Sequence, residues 1–340
     1  MGVFNLSEPN IFKTTPKEEY DLPILTYKDR SLSSVENSNV LARIAFGPQN
    51  FDNTSSIQTG LRPLSVGTNM EEIWYSNGQV ERGSQEDIFW SRDHNTLVAG
   101  TYLSEDDEDL ESSTYKAYSQ LLAFISRSPN LKIVRIWNYV PRINQEENGL
   151  ERYKSFSIGR YNAFTEASFS ESDYCSACAV GNDGERGVVY MLASSNMLNH
   201  FENPDQISAF KYPKEYGPRS PSFARATLAH SLPPTFFISG TASIIGSQTM
   251  HIDDLPGQLG LTHQNISKLI EVSDQFLDTT HSPNPYIIKV YVRHPEQLDI
   301  IKTAVEQMFD KDTQCIYLRG DICRKELLVE IDGTCVFQKS

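Results

Sequence analysis

Twice along its 340 residues the chain passes from short β-type runs, through an amphipathic helical stretch, into a continuous apolar strand. In the first half, 97–103 reads as a strand and the next helix places Tyr115, Tyr118, Leu121, Leu122 and Ile125 on one face. Pro129 and Asn130 stop that helix, and 132–140 follows as a strand. In the second half, 235–245 reads as a strand, 264–276 as a helix carrying Ile266, Leu269, Ile270 and Val272, and 286–292 as a strand. This alternation implies a mixed α/β (α+β) fold, and its repetition suits two related lobes.

Further elements fit the scheme. A buried strand is expected at 40–46, and a hairpin at 74–80 with Asn77-Gly78 as its turn. The acidic run 105–111 suits the approach to a helix amino terminus, although a partner-binding patch is the other reading. Asn182-Asp183-Gly184 turns into a strand at 187–193, and 200–225 reads as an ordered loop. Pro295 opens a helix reaching Phe309, and short strands at 315–318 and 327–331 close the chain. We expect an irregular lead-in at 1–40, an amino-terminal α/β lobe at 41–150, and a second unit at 151–340.

Composition excludes some functions. Thirty Lys and Arg against forty-four Asp and Glu give a net charge of −14, a field that repels nucleic acid. An anionic metabolite can bind only where basic residues concentrate. No apolar run is long enough to cross a bilayer, and the first residues lack the character of a signal peptide, so a cytoplasmic location is expected. The five cysteines include Cys175-Ser-Ala-Cys178, without a second pair at zinc-like spacing, and the seven histidines are scattered. No metal site is expected.

Three constellations can carry chemistry. The segment 149–164 holds Arg152 and Arg160. The segment 211–225 places Tyr212, Tyr216, Arg219 and Arg225 on a loop stiffened by Pro213, Pro218 and Pro221. Guanidinium forks and tyrosine hydroxyls suit a small dianion, while surface ion pairing is the plainer alternative. In the last strand, alternation puts Glu330 and Asp332 on one face. That face either meets water or presents a carboxylic acid to a pocket, where burial would let it hold a proton near neutrality.

Four segments read together resemble the chorismatase family: Arg135-Ile-Trp-Asn-Tyr-Val-Pro-Arg-Ile143; residues 149–164; Glu202-Asn-Pro through Tyr212-Pro-Lys-Glu-Tyr-Gly-Pro-Arg-Ser-Pro-Ser-Phe223; and Phe237-Ile-Ser-Gly-Thr-Ala-Ser243 with Asp321-Ile-Cys-Arg through Glu330. The likeness runs from about residue 40 to the end. Residues 235–333 are also similar to a YjgF-type unit, which makes 151–340 a YjgF-like catalytic domain in this reading. The resemblance implies a site between two lobes, chorismate as substrate, and no cofactor.

It further implies that Glu330 protonates the enolpyruvyl methylene of chorismate. Arg160, Arg219, Arg225 and Arg293 are its candidates for the carboxylates, and Tyr212 and Tyr216 for the ring. Pyruvate is one product. The other is 3-hydroxybenzoate, formed with participation of the ring's own oxygen, or the 3,4-dihydroxycyclohexa-1,5-diene carboxylate formed by water. Cys323 resembles the hydroxybenzoate branch and Ala242 the hydrolytic or a mixed one; our reading leans to 3-hydroxybenzoate. Two fused lobes can replace an intermolecular contact, so a monomer is expected. The competing readings are a YjgF-type imine deaminase and a non-catalytic metabolite sensor, neither of which accounts for both the arginine–tyrosine loop and a buried acid.

Overall fold

In the computed structural model, which describes residues 22–29, 39–51, 55–64, 70–106, 108–277 and 281–339, the repetition in sequence is a repetition of topology. The described chain opens with β1 (Ile24–Asp29), β2 (Val40–Ala45), β3 (Ile57–Gln58), β4 (Arg62–Pro63) and β5 (Met70–Tyr75). All but β4 form a small sheet in the order β1-β5-β2-β3. The stretch expected to be irregular thus contains a strand that buries Leu25, while 1–21 and 30–38 lie outside the described residues.

The first repeat runs β6 (Glu81–Gln85), β7 (Ile88–Arg92), β8 (Thr96–Leu103), α1 (Leu110–Ser126), β9 (Lys132–Pro141), the two-residue strands β10 (Glu146–Glu147) and β11 (Leu150–Glu151), α2 (Arg152–Glu166), β12 (Ser176–Asn182) and β13 (Gly187–Ser194). The second runs β14 (Leu198–Phe201), β15 (Ala226–Ala229), β16 (Thr235–Thr241), the short pair β17 (Ile244–Ile245) and β18 (Gln248–Thr249), α3 (Leu255–Ser273), β19 (His281–Val292), α4 (Leu298–Met308), β20 (Gln314–Arg319) and β21 (Val329–Lys339). Their sheets are ordered β6-β7-β8-β13-β9-β12 and β14-β15-β16-β21-β19-β20, the second extended by β4. In each, the last strand inserts antiparallel between its neighbours, and the strand before it pairs parallel to the one between the helices.

The first repeat therefore continues to Ser194, past the division expected at residue 150. Insertion of β13 between β8 and β9 is a pairing of distant segments, which no local pattern reports. The Asn77-Gly78 turn also differs from expectation. It joins β5 of the small sheet to β6 of the first large one, and no hairpin forms between them. Tyr115 points outward at 38 % exposure and donates to Glu166, whereas the rest of its expected face is buried. Helix α3 begins nine residues before its expected start, with the Asp254 side chain accepting from the Gly257 N–H and Pro256 in the first turn.

Helices α1 and α2 pack on the outer face of the first large sheet, and α3 and α4 on that of the second. The inner faces meet in a shared core with Trp137, Tyr190, Phe237 and Tyr291, joined by Ile44 and Trp74 of the small sheet. Burying these side chains contributes about 2 kcal/mol each, which holds the three sheets as one body. No helix among the described residues is long and apolar enough to cross a membrane.

Candidate active site

At the junction of the two repeats lies a cleft of about 250 Å³. One wall is the start of α2 with Tyr153 and Lys154; the loop 206–225 and the segment 323–327 form the rest; Gly240, Ala242 and Glu330 lie at its floor. A deeper recess of about 30 Å³ shares Tyr153, Phe223, Gly240, Cys323 and Glu330 with it, and adds Arg160 and Cys178.

Strand pairing explains how an acid comes to face this space. Glu330 stands opposite Tyr291 in the β19–β21 ladder. On its other side, the β16–β21 register slips between Ile238 and Thr241, a bulge that re-aims the backbone. Ser239 fixes the bulge by accepting from the Ala177 N–H at 2.9 Å and donating to the Ala224 carbonyl at 2.6 Å. Gly240 follows, and a side chain there would collide with the Glu330 carboxyl. Glu330 is 4 % exposed, and burial together with the charge of Asp332 pushes its carboxyl up to about 8, against the pull of Arg135, Arg293 and Arg225. It is therefore a proton-bearing acid at neutral pH.

The arginines separate into two kinds. Arg160 is 1 % exposed, and its Nε and Nη2 have no acceptor among the described residues. A guanidinium with two unused nitrogens in such a recess calls for an anion. Arg225 lines the cleft with Nε equally unpaired, while its Nη2 donates to the Tyr212 hydroxyl at 2.7 Å and to the Ile207 carbonyl at 3.1 Å. Arg293, by contrast, lies outside the cleft and donates five hydrogen bonds: to Asn144 and Asp321 and to the carbonyls of Ile322, Arg324 and Leu327. Those bonds shape the 322–327 segment and leave nothing for a ligand. Arg219 also lies off the cleft, over the Tyr161 ring at 4.4 Å. Arg152 is tied to Glu105 and Glu147 at the start of α2.

Tyr212 and Tyr216 line the cleft with ring centroids 5.4 Å apart. Arg324, which sequence reasoning missed, stacks 4.2 Å from the Tyr216 centroid and is anchored by the Ser247 carbonyl and the Thr249 hydroxyl. Its only sequence signal was its place next to Cys323. Cys323 and Ala242 both line the cleft. Burial pushes the Cys323 thiol up to about 12, so it is a neutral S–H group and no nucleophile. Cys178, of the Cys175-Ser-Ala-Cys178 run, also reaches the recess.

Comparison with known proteins agrees with this geometry. The family model described as chorismatase FkbO/Hyg5-like, N-terminal, matches residues 72–193. A Streptomyces hygroscopicus protein called 3-hydroxybenzoate synthase is 32 % identical over 273 residues, covering 77 % of this chain and 80 % of that protein. A Streptomyces rapamycinicus protein called chorismatase is 30 % identical, covering 77 % of this chain and 81 % of that one. A crystal structure of a chorismatase superposes with a TM-score of 0.84 at 27 % identity, covering 94 % of this chain and all of that one. The mixed α/β fold, the acid-floored cleft between the repeats and these similarities agree: the chain belongs to the chorismatase family of enzymes.

Proposed function

We propose that the protein cleaves the enolpyruvyl ether of chorismate to pyruvate and 3-hydroxybenzoate, with Glu330 as the acid. The observation that carries this reading is a buried carboxyl, pushed up to about 8, in a recess shared with an arginine that has two unpaired donors. Arg160 and Arg225 receive the two carboxylates, and Tyr212 and Tyr216 flank the ring. Glu330 gives its proton to the terminal methylene, and the positive charge develops on the ether carbon. The low-dielectric surroundings strengthen every one of these contacts.

Two fates are open to the protonated ether. Capture by water gives a hemiketal that collapses to pyruvate and the dihydrodiol, taking up one water. Participation of the ring's own oxygen, followed by aromatisation, gives 3-hydroxybenzoate; this product and pyruvate together hold the atoms of chorismate with no net water consumed. The neutral Cys323 thiol and Ala242, both at the cleft, are the positions where ring placement and water access are decided. The similarity to a protein called 3-hydroxybenzoate synthase supports 3-hydroxybenzoate as the product.

Purified protein incubated with chorismate tests the reading, with Glu330→Gln run beside it. Pyruvate and 3-hydroxybenzoate, both lost in the variant, are expected. The dihydrodiol in place of 3-hydroxybenzoate would move the enzyme to the hydrolytic branch. Failure of the folded protein to release pyruvate would overturn the assignment.

A further inference from the structure

Behind Glu330, away from the cleft, four charged side chains lie sealed in the shared core. Asp332 is 0 % exposed and accepts from Arg135 Nη2 at 2.9 Å and from the Tyr291 hydroxyl at 2.9 Å. Arg135 is fixed at its other end by the Ile238 carbonyl. Lys289 stands 4.0 Å from Asp332 and 2.6 Å from Glu72, which also accepts from the Trp74 indole at 2.6 Å. The cluster spans all three sheets and holds two cations and two anions. Sealing it from water is costly, and a set of apolar residues would fill the same space at least as stably. A cluster of this kind is therefore a candidate for something other than stability.

Its placement suggests what. Asp332 and Glu330 are two apart on β21, on one face, so their side chains leave the strand about 7 Å apart. The charges that act most on Glu330 are Asp332 on one side and, on the other, Arg135 from β9, Arg293, and Arg225 from the 206–225 loop. Arg160 shares its recess, and Lys154, Arg324, Lys325, Glu151, Glu215 and Glu326 line the wider cleft. Cys178, Cys323, Tyr139, Tyr153 and Tyr291, the remaining titratable neighbours, stay neutral because burial pushes each of them upward. Burial is the first cause that holds the proton on Glu330, and Asp332 is the fixed charge that adds most to it against the three arginines.

We infer that Asp332, paired with Arg135, is a positioning residue whose charge helps retain the proton on Glu330, so that a group outside the cleft sets the alkaline limit of catalysis. This rests on the role proposed for Glu330. Neither arginine nor aspartate touches substrate; they act through the acid.

The pH profile of kcat/KM, which reports the free enzyme, tests it. In Asp332→Asn the anion is gone and Arg135 is uncompensated. Both changes favour ionised Glu330, so the alkaline limb should move toward acid by about one pH unit or more. Activity near pH 6 should stay within about tenfold of the parent, with the deficit growing as pH rises. Lys289→Met gives the opposite sign, because Asp332 loses an opposing charge while keeping Arg135 and Tyr291; it also serves if the asparagine variant does not fold. An equal loss at all pH values in Asp332→Asn, or an unmoved or acid-shifted limb in Lys289→Met, would overturn the inference. A second readout is independent of chorismate: the protonated-carboxyl infrared band that Glu330→Gln removes should titrate at lower pH in Asp332→Asn. Absence of pyruvate release with that band shift intact would sink the proposed reaction but leave the charge coupling standing; an unshifted band would sink the coupling alone.

Discussion

The carboxyl of Glu330 occupies the volume that a side chain at position 240 would fill: a Cβ built on Gly240 runs into Glu330 Oε1 and comes within 3.3 Å of the Cys178 Cβ. Acid and glycine are thus one unit, provided by adjacent strands. Gly240→Ala is expected to displace the carboxyl and lower kcat by about 100-fold, with a modest fall in Tm. Steady-state kinetics and thermal unfolding on the same preparation check both. Parent-like kcat would mean that the acid has room the structure does not give it.

Glu330 also makes stability depend on pH with a definite sign. Its carboxyl is raised to about 8 in the folded chain from an ordinary 4.5. The contribution is complete below pH 4.5 and is lost as pH rises through 8, because the folded state must then bury a charge. Glutamine cannot ionise. Between pH 6 and pH 9 the parent should therefore lose roughly 3 kcal/mol relative to Glu330→Gln, measured by denaturant unfolding at each pH.

Arg160 should show opposed effects on function and stability. Replacing it by methionine removes a buried cation whose Nε and Nη2 no described residue satisfies. Tm is expected to hold or rise, while kcat/KM for chorismate falls by about 100-fold or more. A falling Tm with intact kinetics would make this arginine structural.

Arg293 and Arg219 separate the other way. Arg293→Lys cannot reproduce five hydrogen bonds with one ammonium group, and should cost roughly 3 kcal/mol of stability. Arg219→Ala loses only a stack on Tyr161, and kcat/KM should stay within about threefold of the parent. Urea midpoints for the first and kinetics for the second decide.

The helices and long strands were legible because their periodicity is local: α1, β9 and β13 each declare themselves within a dozen residues. What failed to show was pairing at a distance. Nothing near residue 150 says that β12 and β13 will return to the first sheet. The alternation Glu330-Ile331-Asp332 reads equally as a wet face or a buried one, and only a second sheet packed against it decides. Arginine is harder still. Arg160 and Arg293 look alike in sequence, yet Nε and Nη2 of the first have no acceptor among the described residues, while the second is saturated by backbone carbonyls that only the folded 322–327 segment brings together.

The duplicated path through the two large sheets has a consequence for how such a site changes over generations. In an assembly of identical copies, one substitution is repeated at every symmetric junction. Here the acid comes from β21 of one repeat and the unpaired arginine from α2 of the other, each encoded once. A mutation in either alters one wall of one cleft and leaves its counterpart untouched, so the halves are free to specialise as donor and receptor.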